Sequence, residues 1–315
     1  MSALIHTALI GAGGVGAVYA QRLHRALGAE HFCVLAQGER LARYRREGLF
    51  VNGERLAASF CAPQALASPL DCLLIAVKST ALEETIEQIA PCVSPQTLIV
   101  SLLNGITSET TLQRRFSRAQ VPYAFCVGID TLHQGNHIDY LSPGRIVFGD
   151  TPGGVPEERL HALARLFTQA GIPFTHAADI RHEQMWKWML NCAVNQLCAV
   201  MRMPYGALKH YAPLRDLARA VCREAAAVSA RLGTPLDEAD VQRVLDTIDT
   251  LSDTGQPSML QDVLAGRPTE VDLFSGAVIS LGEQAGVPTP LARMLYAQLC
   301  TLQADARAQT PLRLR

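Results

Sequence analysis

An apolar run from Leu4 to Ile10 leads without a break into Gly11-Ala12-Gly13-Gly14-Val15-Gly16, and helical periodicity follows from Val15 to Leu27. A G-x-G-x-x-G run between a strand and a helix leaves the chain few folds to choose from. The first glycine makes the tight turn, the second lets backbone approach a pyrophosphate, and the third lets the helix pack closely on the strand. The helix N-terminus then turns its unpaired N–H groups toward phosphate oxygens. The motif therefore points to a βαβ unit with a dinucleotide at Gly11, Ala12, Gly13, Gly14, Val15 and Gly16. A glycine turn without a ligand is the plain alternative.

The rest of the first half keeps this alternation. HFCVLA (31–36), LDCLLIAV (70–77) and TLIVSLL (97–103) are continuous apolar runs, with a helical pattern over 82–90 between the last two. Such runs suit strands buried on both faces of a parallel sheet, with helices on each side. Residues 123–150 are β-rich around a turn at Gln134-Gly135-Asn136, which predicts a hairpin extending that sheet. A helix over 156–169 and a short strand over 173–176 follow. Beyond about residue 180 the pattern is almost wholly helical: 182–202, 213–232, 236–252, 258–265, 270–286 and 289–305. Gly233, Gly266 and Gly286 follow helical runs there, with Pro235, Pro268 and Pro288 close behind. The expected fold is an α/β nucleotide-binding domain over 1–179 and an all-α domain over 180–315.

Composition narrows the function. Of 315 residues 49% are hydrophobic and 18% charged, which favours buried cores over disorder. A formal net charge of -1 gives no electrostatic reason for a nucleic-acid or membrane partner. The nine cysteines are odd in number and form no C-x-x-C. Free thiols fit better than disulfides or a zinc site, so no metal is expected. With no signal-peptide pattern at the start, the expected location is the cytoplasm. Apolar stretches in the helical half suit a homodimer contact.

Several polar residues stand where a ligand would meet them. After the second strand, where an acidic ribose reader is usual, the chain has Gln37-Gly38-Glu39-Arg40. Arg40 and Arg43 suit a 2′-phosphate and favour NADP over NAD, although a solvated helix face also explains them. Lys78 and Asn104 each follow an apolar strand, where open parallel sheets bind ligands; either also fits an ordinary turn. In MWKWMLNCAVNQLCAVM, Lys187, Asn191 and Asn195 are spaced by four, so one helical stripe carries an amine and two amides. A small polar substrate explains that stripe; so does an edge pair between Lys187 and Glu183. Ser258 with Gln261, and Thr269 with Asp272, read as capping boxes, and Glu270 suits a first helical turn.

Taken in order, GAGGVG, VKST with Lys78, LLNG with Asn104, WKWMLNCAVN with Lys187 and PSMLQDVLAGRPTEVD with Glu270 resemble the ketopantoate reductase (2-dehydropantoate 2-reductase) family from Leu9 to about Ala304. The resemblance implies a Rossmann-type domain, a helical C-terminal domain and an active site in the groove between them. It implies NADPH-dependent reduction of 2-dehydropantoate to pantoate, a step of pantothenate synthesis. Lys187 matches the catalytic lysine that protonates the developing alkoxide, and Glu270 the acid that holds substrate and cofactor groups near it. Asn104, Asn191, Asn195 and Ser258 match polar groups lining the cofactor and ketoacid site, and Lys78 a lysine of the same cleft. Two positions depart from the pattern: Gln37 replaces an arginine that reads the 2′-phosphate, and Gly255 stands where a substrate-contacting asparagine is common. A reductase of another small 2-keto acid is the nearest alternative. A non-catalytic NADP sensor would keep the glycine loop but has no need of Lys187 and Glu270.

Overall fold

The computed structural model describes residues 4–66 and 68–307. They form two compact units, one running through Glu183 and the other starting at Gln184.

The first unit contains β1 (Thr7–Ile10), α1 (Gly14–Leu27), β2 (Phe32–Leu35), α2 (Gly38–Glu47), β3 (Phe50–Val51), β4 (Glu54–Arg55), β5 (Ser59–Cys61), β6 (Cys72–Ile75), α3 (Leu82–Ile89), β7 (Leu98–Ser101), α4 (Ser108–Gln113), β8 (Tyr123–Gln134), β9 (His137–Gly149), α5 (Glu157–Gln169) and β10 (Phe174–His176). One sheet is five-stranded in the order β5-β2-β1-β6-β7, with every pair parallel. Its strands alternate between two cores, as the period of a strand requires. Leu9, Val34, Leu74 and Val100 face α1 and α5. Ala8, Leu35, Leu73 and Ile99 face α3 and α4. This is the expected α/β layering.

The hairpin departs from expectation. β8 and β9 pair antiparallel around the turn at 135–136, but they do not extend the parallel sheet. They build a second sheet in which β9 pairs parallel with β3 and with β10. The reason lies in α1, whose Ala17, Val18, Tyr19 and Leu23 are all buried in one core with Ile138, Ile146 and Phe148 of β9. The Tyr19 hydroxyl donates to the Pro143 carbonyl at 3.0 Å. The helix that opens on the glycine turn is thus covered on both sides by sheet.

Helix α6 (Ile180–Met201) crosses the division between the units. Its first turn belongs to the first unit, since Ile180 packs with Phe125, Val127 and Val147, and Arg181 lies 4.5 Å over the Tyr123 ring. From Gln184 to Ala199 every residue but Lys187 is buried, as befits a helix that is apolar almost all round. The second unit continues with α7 (Gly206–His210), α8 (Ala212–Arg231), α9 (Glu238–Thr250), α10 (Ser258–Leu264), a 3-10 turn at Val271–Leu273, α11 (Ser275–Ala285) and α12 (Pro290–Arg307). It is all-α. Carboxylates open two of its helices: Asp237 accepts from the N–H groups of Ala239 and Asp240 in α9, and Glu224 from those of Leu291 and Ala292 in α12. Among the described residues no helix is long and apolar enough to cross a membrane.

Candidate active site

The carboxyl ends of β2, β1, β6 and β7 lie side by side in the parallel sheet. From β1 the chain moves outward to β2 and β5, then returns to the other side of β1 as β6, so the crossover point is beside the glycine turn. Gly11 has φ +95, and a Cβ there would lie 2.5 Å from the Ala76 carbonyl carbon. A Cβ on Gly16 would come 2.1 Å from the Gly11 oxygen. Gly13 differs. Its φ of -87 and ψ of -156 suit any residue, and a Cβ there would meet nothing within 4 Å. Neither backbone nor packing requires glycine at 13, so the open space at the N-terminus of α1 fits an external phosphate group. Ala12, Gly14 and Val15 complete this turn, and the buried Tyr44 hydroxyl donates to the Ala12 carbonyl at 3.3 Å.

The other expected residues of the first unit stand along the same edge. Gln37 precedes α2 and donates through Nε2 to Gln64 Oε1 at 3.0 Å; Arg40 is exposed in the first turn of α2. Lys78 is exposed just beyond β6. Asn104 lies in the loop after β7, closed by a 2.7 Å hydrogen bond between the Ser101 and Ser108 hydroxyls. Beneath that loop, buried Glu109 accepts from Ser108 Oγ at 3.0 Å and from the Ala124 N–H at 3.3 Å. On β2 and β5, a hydrogen bond from the Cys33 side chain and the positive field of Arg45 pull the Cys61 thiol down to about 7. The same pairing and burial push Cys33 up.

In the second unit the polar stripe is real. Lys187 Nζ donates to Asn191 Oδ1 at 2.9 Å; Asn191 is 4% exposed and Asn195 9%. A parallel stripe one residue on anchors the segment that carries Glu270. Trp188 Nε1 donates to the Leu273 carbonyl at 2.9 Å, and Gln196 Oε1 accepts from the Ser275 N–H and hydroxyl at 3.2 and 2.6 Å. Gln196 Nε2 in turn donates to the Cys192 carbonyl at 2.7 Å. Sequence reasoning passed over Trp188 and Gln196. The signal was present, because Gln196 is a further amide in the apolar run, eight residues and so about two turns beyond Trp188.

Ser258 and Glu270 lie at either end of a pinned turn, and neither capping box forms. Pro257 takes the cap position of α10, leaving Ser258 exposed in its first turn, while Gln261 Nε2 donates back to the Gln256 carbonyl at 3.0 Å. Thr269 is buried with no partner for its hydroxyl, and Asp272 instead accepts from the Tyr296 hydroxyl at 2.9 Å. Between them Arg267 Nε donates to the buried Asp262 carboxylate at 2.8 Å, and the Thr269 N–H to Gln303 Oε1 at 3.0 Å. Glu270 is half-buried and stands at the residue before the 3-10 turn, without a side-chain capping hydrogen bond to it. Gly255 packs against Tyr205, whose Cδ2 lies 2.9 Å from where a Cβ would stand.

Comparison with known proteins covers both units. The family model "Ketopantoate reductase PanE/ApbA" matches residues 7–153, and "Ketopantoate reductase PanE/ApbA C terminal" matches 179–303. A 2-dehydropantoate 2-reductase of Aquifex aeolicus is 28% identical over 287 residues, 90% of this chain and 92% of that one. The PanE/ApbA family ketopantoate reductase of Ralstonia eutropha superposes with a TM-score of 0.81 at 27% identity, covering 96% of this chain and 99% of the other. A D-mandelate dehydrogenase solved with NADH and anilino(oxo)acetate shares the fold, with a TM-score of 0.86 at 20% identity over 96% of this chain and all, 100%, of the other. The glycine turn, the lysine helix and the pinned acidic turn thus stand in a chain that belongs to the ketopantoate reductase family, a 2-dehydropantoate 2-reductase-like oxidoreductase.

Proposed function

We propose that the protein reduces 2-dehydropantoate to pantoate with NADPH. The observation that carries this reading is Lys187, a half-buried ammonium on an apolar helix, aimed by a 2.9 Å hydrogen bond to a buried amide. Lys187 lends a proton to the carbonyl oxygen as negative charge builds there, and recovers one from solvent. Asn191 keeps the ammonium in one orientation, while Asn104, Asn195 and Ser258 hold the carboxylate and hydroxyl of the ketoacid without adding net charge. Glu270 holds polar groups of substrate and cofactor near the lysine. Gly11, Ala12, Gly13, Gly14, Val15 and Gly16 cradle the pyrophosphate at the N-terminus of α1, Gln37 and Arg40 face the 2′-phosphate, and Lys78 lines the same edge. When bound, the nicotinamide supplies the hydride to the carbonyl carbon. Homodimerisation through the helical half belongs to the same reading, supported by exposed Met201, Leu232, Leu264 and Met294.

Steady-state oxidation of NADPH and NADH, with and without 2-dehydropantoate, tests the proposal. Turnover requiring the ketoacid and preferring NADPH is expected; no oxidation of either nucleotide would sink it. Lys187→Ala should lower kcat by about 10²–10⁴-fold while the fold survives. Near-normal turnover in that variant would remove Lys187 from its role.

Gly255 favours a second reading. An asparagine there would require the Tyr205 ring to move, so the pocket lacks an amide the family commonly uses. The preferred substrate is then a different, smaller branched 2-keto acid. A panel decides: a kcat/KM more than about tenfold higher on another ketoacid, about 1.4 kcal/mol of transition-state binding, would select this reading.

A further inference from the structure

Away from the glycine turn, three metal-ligating side chains converge at the β10 edge of the second sheet. Glu157 and His161 stand one turn apart at the start of α5, with Glu157 Oε1 3.2 Å from His161 Nε2. His176 on β10 brings its Nε2 to 3.8 Å from the same carboxylate oxygen. One ligand atom from each of the three lies within 4.8 Å of the other two. The His176 ring is stacked on the fully buried Phe148 at 5.1 Å with an 8° interplanar angle, which fixes its plane.

We propose that Glu157, His161 and His176 bind one divalent transition-metal ion of the Zn²⁺ class. Two imidazoles and one carboxylate form a ligand set suited to such borderline cations, with water completing the coordination. A tetrahedral ion with bonds of about 2.0 Å holds its ligand atoms about 3.3 Å apart, close to the 3.2 and 3.8 Å found. An ordinary helix-surface pair accounts for Glu157 and His161. It gives no reason for a third donor from another element on the same point. Bound metal would clip α5 to β10, and so to the edge of the second sheet. Glu157 and His161 share one helix, but His176 lies on a separate strand and no ligand is a cysteine, so cysteine-spacing motifs do not reveal the set.

The test uses the untagged full-length protein with Zn²⁺ alone as titrant and Co²⁺ as spectroscopic probe. One equivalent of Zn²⁺ should bind, with affinity falling at least tenfold in His161→Ala and in Glu157→Gln, both exposed positions where circular dichroism should stay unchanged. Co²⁺ should give the visible d–d bands of a tetrahedral nitrogen- and oxygen-ligated ion, without the intense near-ultraviolet absorption of thiolate ligation. Zn²⁺ affinity unaltered in both variants, the absence of a stoichiometric site, or a thiolate-dominated Co²⁺ spectrum would each overturn the proposal.

Discussion

Adding one methyl group to the glycine turn should have opposite consequences at Gly13 and Gly16. At Gly16 the new carbon meets backbone oxygen 2.1 Å away, so the turn must shift. Gly16→Ala should cost about 1–3 kcal/mol, seen as a lower Tm by calorimetry. At Gly13 nothing within 4 Å opposes the carbon. Gly13→Ala should leave stability within about 0.5 kcal/mol but raise the NADPH Kd at least tenfold, measured by fluorescence titration. A single residue also sets the expected thiol chemistry. Because Cys33 and Arg45 hold the Cys61 thiol near 7, its thiolate should accumulate as pH rises through that value. Alkylation by iodoacetamide should accelerate between about pH 6 and 8, and Cys61→Ser should abolish that phase. The turn glycines were legible in sequence because each meets a separate geometric demand. Ser258 and Thr269 were not, since the capping pattern fits their spacing equally well and only Pro257 and Gln303 decide against it.

Helix α6 organises the second unit through two adjacent stripes. One presents Lys187, Asn191 and Asn195; the other uses Trp188 and Gln196 to fasten the chain just past Glu270. Gln196→Leu would strand the Ser275 N–H and hydroxyl in a buried place, at a cost of about 1–3 kcal/mol. Chemical denaturation should report that loss as a lower midpoint, and kcat should fall with it as the Glu270 segment loosens. Elements defined by local pattern, such as α6, α8 and the strands of the parallel sheet, could be read from sequence. The destination of the hairpin could not, because β9 finds its partners β3 and β10 at positions remote along the chain. Even so, Asn52-Gly53 between β3 and β4 was a readable turn, with φ of 49 and 78 at the two positions.

At the scale of the whole molecule, the two family regions correspond to an α/β part and an all-α part, and the glycine turn and the alternation of apolar runs already implied that split. That Gly13 and Lys187 serve one reaction is proposed from resemblance, since no periodicity links them. The placement of the aromatic side chains offers a direct way to watch that reaction. The sequence holds 2 tryptophans, and they are Trp186 and Trp188, on either side of Lys187. Trp186 lies under the Arg243 guanidinium at 3.8 Å and donates to the Asp240 carbonyl, while Trp188 donates to the Leu273 carbonyl. The tryptophan emission of the chain therefore originates within one helical turn of the proposed proton donor. Ketoacid binding should change that emission saturably in the wild type, and Trp188→Phe should remove most of the change. A native optical probe is thus built into the lysine helix, and stopped-flow fluorescence can time substrate arrival there without any label.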